Sequence, residues 1–188
     1  MWRYCNENQS DINRTLQNFK TKNIKSLAIE LGNELAEQNK KVATVESCTG
    51  GGIAFAITEV AGSSAWFEKS WVTYSNQAKH EEVGVLNDTL SEFGAVSAQT
   101  VEEMAAGGLH ASGADLCVAV SGIAGPDGGS PEKPVGLVWF AIASATSNIT
   151  GKATIRNFSR CFNGDRAEVR EQAISLSLKE LIDSTVSA

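Results

Sequence analysis

The chain is short of the residues that staple or punctuate small folds. Its three prolines all fall inside one stretch, "GPDGGSPEKP", so no other segment has the composition of a proline-rich linker. The four cysteines, Cys5, Cys48, Cys117 and Cys161, are widely scattered and form no Cys-x-x-Cys pair. That spacing gives no metal knuckle and no disulfide framework, and it fits reduced thiols of a cytoplasmic protein. No run approaches the roughly 18 apolar residues of a membrane span. The N-terminus lacks the apolar core of a signal peptide. Basic charge is also scarce: 16 Lys and Arg against 22 Asp and Glu give a net charge of −6. An acidic surface repels phosphate backbones, so neither a nucleic-acid nor a membrane partner is expected. A small anion is not excluded, because a few backbone N–H groups can hold one phosphate.

What the chain does have is a globular balance, 42% hydrophobic and 20% charged over 188 residues. Residues 1–22 are polar without a persistent period and read as an N-terminal arm, leaving residues 23–188 as one domain. From Ile24, apolar residues at Leu27, Ala28, Leu31 and Leu35 recur at three- and four-residue steps and predict a helix ending near Gln38. "KKVATVE" predicts a strand, "IAFAITEVA" a helix and "KSWVTYS" a second strand. "SAQTVEEMAAGGLHASG" predicts a helix with Ser97 as N-cap, weakened by Gly107 and Gly108 and stopped by Gly113. "DLCVAVSG" is a continuous apolar run suited to a strand covered on both faces. "VGLVWFAIA" and "KATIRNF" predict an antiparallel pair joined by "SATSNIT". The last helix carries a capping box at Asp165 and Glu168, with Val169, Ala173, Leu176 and Leu181 on one face. Strands alternating with helices predict an α/β fold, a three-layer α/β/α sandwich around a mixed, largely parallel sheet.

Such sheets bind ligands beyond the carboxyl ends of their strands, and three polar segments fall there. The first is "VESCTGGGIA", where Ser47 precedes three consecutive glycines, each costly inside a regular element. As a strand-to-helix turn it would expose Ser47 and aim the unpaired N–H groups of the following helical turn at its neighbour. Those donors would stabilise an oxyanion or a phosphate. The segment lacks the Lys–Ser/Thr ending of a P-loop and does not match GxGxxG. The plain alternative is a tight turn that lets helix and sheet pack closely. The second segment, "WVTYSNQAKHEEVGV", places Tyr74, Asn76, Lys79 and His80 near the same edge. A buried lysine of lowered pKa can serve a serine as base, and so can a histidine. For His80 and Glu81 a solvated helix start is the better reading, and His110 suits a surface or capping position. The third, "VAVSGIAGPDGGSPEKPVG", ends a strand at Ser121 and carries Gly122, Gly125, Gly128 and Gly129, whose N–H groups could face a ligand. In "FNGDRAEVR", Arg166 opposes the helix dipole unless it meets an anion. The alternative pairs it with Asp165 or Glu168, and for Arg170 that pairing is preferred. Cys48 is adjacent to Ser47 but should point the other way in an extended chain.

These segments, in this order, resemble the nicotinamide-nucleotide amidohydrolase family, also known as the CinA C-terminal domain family, over about residues 24 to 183. The resemblance implies hydrolysis of the carboxamide of nicotinamide mononucleotide to nicotinate mononucleotide and ammonia, in pyridine nucleotide salvage. It also implies no metal or other cofactor and a homo-oligomer. By it, Ser47 is the nucleophile and Lys79, assisted by Tyr74, the base. Substrate contacts fall on Thr49, Gly50, Gly51, Asn76, Ser121, Gly122, Gly125, Gly129 and Arg166. Ser121 departs from the family, which usually has threonine there. Two alternatives remain: a catalytically weak or inactive member that only binds the nucleotide, and an accessory of DNA uptake, against which the acidic charge counts.

Overall fold

The computed structural model describes residues 23–145 and 153–186. The expected N-terminal arm and most of the "SATSNIT" connection lie outside them. The described elements are α1 (Ile24–Glu37), β1 (Val42–Glu46), α2 (Gly52–Thr58), a 3-10 turn (Ser63–Ala65), β2 (Phe67–Val72), α3 (Asn76–Val83), α4 (Asn87–Phe93), α5 (Ala98–Ser112), β3 (Leu116–Gly122), β4 (Leu137–Ser144), β5 (Thr154–Cys161) and α6 (Arg166–Val186). The five strands form one sheet in the order β2-β1-β3-β4-β5. The first three run parallel, and β4 and β5 run antiparallel to their neighbours. The predicted α/β class, mixed sheet and late hairpin are all present.

Period-two alternation along the central strands builds a separate core on each face. Val42, Leu116, Val118, Val120, Phe140 and Ile142 pack with α1, α2 and α6. Ala43, Val45, Cys117, Ala119 and Ala141 pack with α5 and with the segments around Val83 and Leu90. Three layers follow directly from that alternation. The glycines of α5 belong to it as well. A Cβ at Gly107 would collide with the Val83 carbonyl, and one at Gly108 with Val45 and Cys117. The helical propensity lost there, about 1 kcal/mol per glycine, is offset by close approach of α5 to the sheet. Helix α4 is an element the sequence pattern does not announce, since its seven residues hold only two buried side chains, Thr89 and Leu90.

Register then brings three strand ends to one edge. Glu46 pairs with Val72 on one side and Val120 on the other. The ladder continues one step further, with Thr73 N donating to Glu46 O (2.9 Å) and Ser47 N to Val120 O (2.9 Å). Ser47, Thr73 and Ser121 therefore stand side by side at the carboxyl edge of the parallel strands.

Candidate active site

Alternation fixes which way Ser47 points. Val42 packs beneath α1, α2 and α6, as does Cys48, whereas Ala43 and Val45 face the α5 side. Ser47, two residues beyond Val45, meets α3 there. Lys79 Nζ lies 3.0 Å from Ser47 Oγ and donates to Thr73 O at 2.7 Å. Ser47 is 8% exposed and Lys79 only 1%. Neither contact of the amine is a carboxylate, and burial pulls the Lys79 pKa down from 10.5 to about 8. A largely neutral amine at mildly alkaline pH, 3.0 Å from a hydroxyl, has the geometry of a general base beside its nucleophile. Cys48 offers no competing nucleophile, because burial, followed by the Glu46 charge, pushes its thiol up to about 12.

The turn after Ser47 explains its glycines. Gly50 and Gly51 have φ of 58° and 88°, left-handed conformations that strain any residue with a Cβ. At Gly52 a Cβ would collide with Ile174 of α6. The helix N–H groups, however, do not face the serine as expected. Glu46, fully buried, turns its carboxylate under α2 and accepts from Ile53 N (3.0 Å) and Ala54 N (2.9 Å). An acid there satisfies orphan donors and complements the positive end of the dipole, so those groups are closed to a ligand. Gly50 N is also engaged, donating to Ser47 O at 3.0 Å, and Gly52 N donates to Thr49 O at 3.1 Å. Thr49 and Gly51 keep N–H groups with no acceptor among the described residues.

A model of the CinA C-terminal domain matches residues 24–185. The chain belongs to that family. It is 54% identical over 159 residues to a nicotinamide-nucleotide amidohydrolase PncC of Enterobacter agglomerans, covering 84% of this chain and 93% of the relative. To the protein of the same name from Escherichia coli K12 it is 52% identical over 155 residues, covering 82% and 90%. Among solved structures, a competence/damage inducible protein, CihA, from Agrobacterium tumefaciens superposes with a TM-score of 0.78 at 44% identity, covering 85% of this chain and 94% of that one.

In this CinA-family chain the other predicted positions divide. Tyr74 is 61% exposed, and its hydroxyl accepts from Arg166 Nη2 (3.1 Å) rather than meeting Lys79. Asn76 opens α3 and is exposed, next to the N-cap Ser75. Ser121 is 1% exposed and donates to Ala95 O at 2.7 Å, so its only proton is committed to the loop before α5. Gly125 O accepts from Arg166 Nη1 at 2.8 Å, and Gly129 lies exposed against Pro134 and Val135. His80 is turned away, with Nδ1 2.8 Å from Val85 O. The predicted pairing of Arg170 with Asp165 or Glu168 does not occur; Arg170 Nη2 donates to Thr49 O at 2.9 Å. An open cleft of about 650 Å³ beside this edge is lined by Ala124, Pro126, Val135, Arg166 and Arg170. Among the described residues no cluster of His, Cys, Asp or Glu could hold a metal ion, and no helix is long and apolar enough to cross a membrane. Sequence reasoning missed Glu46 and the Thr73 carbonyl. A carboxylate seven residues before a helical N–H is a detectable signal, whereas a backbone acceptor carries none.

Proposed function

We propose that the protein is an amidohydrolase that converts nicotinamide mononucleotide to nicotinate mononucleotide and ammonia. The observation that carries this reading is the buried Ser47–Lys79 pair, 3.0 Å apart. The names of the 54% and 52% identical relatives, nicotinamide-nucleotide amidohydrolases, support the substrate. Neutral Lys79 takes the Ser47 proton as Oγ attacks the carboxamide carbon. The oxyanion forms beside the N–H groups of Thr49 and Gly51. Collapse of the tetrahedral adduct breaks the C–N bond, and the Lys79 ammonium returns its proton to the departing ammonia. Water then attacks the acyl ester with Lys79 again as base, releasing the carboxylate and restoring Ser47. The nucleotide extends into the cleft walled by Ala124, Val135 and Arg166, whose guanidinium also meets Tyr74. Ser121 supports this edge from behind. Such a catalyst belongs to pyridine nucleotide salvage in the cytoplasm and is expected to work as a homo-oligomer.

An ammonia-release assay tests the reading with nicotinamide mononucleotide, nicotinamide riboside and free nicotinamide as substrates. Release from the mononucleotide is expected. Calorimetric binding of that nucleotide without any ammonia would favour the binding-module alternative.

A further inference from the structure

Arg166 and Arg170 lie one turn apart at the start of α6 and both line the open cleft. Cations oppose the dipole in this part of a helix. The acids nearest in sequence do not compensate them. Asp165 Oδ1 accepts from Ala167 N (2.8 Å) and Glu168 N (3.0 Å), while Glu168 Oε2 accepts from Asp165 N (2.8 Å). The capping box thus engages both carboxylates with backbone. Neither arginine has an ion-pair partner among the described residues. The two differ in what they have left to offer. Arg166 uses both terminal nitrogens, on Gly125 O and Tyr74 OH. Arg170, half-buried, uses Nη2 on Thr49 O and keeps Nη1 and Nε without an acceptor among the described residues.

We propose that Arg170 is a specificity-determining residue that binds the phosphate of the mononucleotide through the guanidinium N–H donors that Thr49 O leaves free. This rests on the substrate reading above. A guanidinium presents parallel N–H donors that match a phosphate, and charge-assisted bonds of this kind are the stronger class. The same group holds the carbonyl of Thr49, two residues after Ser47, so phosphate recognition and the shape of the reactive turn share one side chain. Substrates lacking phosphate leave that cation unmatched.

The test uses calorimetry in a Ser47→Ala background, where ligand is bound without turnover. Nicotinamide mononucleotide is expected to bind at least about tenfold more tightly than nicotinamide riboside, the range of a charged hydrogen bond. Adding Arg170→Met should shrink that gap to about threefold or less by weakening the mononucleotide alone; Arg170→Lys, which keeps charge but not the fork, should shrink it partway. A gap that survives Arg170→Met, or an equal loss for both ligands, overturns the proposal and leaves Arg170 a support for the turn. Thermal denaturation identifies a misfolded Met variant, in which case the Lys variant decides by the same ratio. Ammonia release by the unaltered protein judges the amidohydrolase reading separately.

Discussion

Two glycine-rich segments leave parallel strands of this sheet, one after β1 and one after β3, and they use glycine for different ends. In residues 47–52 the glycines set a tight turn, with Gly50 and Gly51 left-handed, beside a serine whose hydroxyl meets a buried amine. In residues 122–136 the loop is fastened to its surroundings. Lys133 Nζ donates to Phe93 O (2.7 Å), Gly136 N to Ile123 O (2.8 Å), and Arg166 to Gly125 O (2.8 Å). A Cβ at Gly136 would strike the Phe162 carbonyl. The first segment leaves two N–H groups and a hydroxyl for chemistry; the second builds the wall against which a ligand lies. What separates them is which hydrogen-bonding groups the fold has already engaged.

The largest test of this contrast removes the hydroxyl of the first segment. Ser47→Ala should lower ammonia release from nicotinamide mononucleotide by more than about 10⁴-fold, as loss of a nucleophile does elsewhere, with the circular dichroism spectrum unchanged. Turnover near the original rate in that variant ends the nucleophile assignment. Lys79→Met should follow, with a loss of about 10² to 10⁴-fold in kcat/KM, the range for a general base. In the unaltered protein kcat/KM should climb with pH and level off above about 8, because the amine must be neutral to accept a proton. The sign of the stability effect is the same. Between about 8 and 10.5 the unfolded chain holds a proton on Lys79 that the native state lacks, so stability gains with rising pH across that window. Denaturation midpoints of Lys79→Met should have a shallower slope there, and a slope matching the unaltered protein would place the lowered pKa elsewhere.

Much of this frame was legible in the residues. The α1 stripe at Leu27, Leu31 and Leu35, the Ser97 cap and the Asp165–Glu168 box depend on neighbours three or four positions apart, and all are present. Residue type and position after a strand single out Ser47 and leave Lys79 and His80 as bases; the family resemblance selects Lys79. What escaped depends on contacts across long sequence separations. Glu46 looks like a strand's polar last residue, and only the fold shows it bent beneath α2. Arg170 looks like a surface partner for nearby acids, but its acceptor lies 121 residues away. The family resemblance pairs Tyr74 with Lys79, yet the Tyr74 hydroxyl accepts from Arg166 instead.

A matched pair of glycines compares the segments at equal backbone strain. Gly51 and Gly128 have φ of 88° and 89°, and a Cβ at either would meet only ordinary contacts. Alanine at each should cost about 1–2 kcal/mol of stability, the penalty of a left-handed residue. Their effects on turnover should separate. Gly51→Ala distorts the turn that orients Ser47 and should lower kcat about tenfold or more, since small misplacements of reacting groups are expensive. Gly128→Ala, exposed at the loop's outer end, should lower it several-fold at most. Equal losses of kcat would mean that the second loop carries reactive geometry too. The smallest effect is expected at Ser121, where alanine leaves Ala95 O without its donor. A loss of about 1 kcal/mol in urea denaturation, with kcat changed less than by Gly51→Ala, would mark that hydroxyl as a fastening of the sheet edge. A larger fall in kcat with no loss of stability would move Ser121 from the frame into the site.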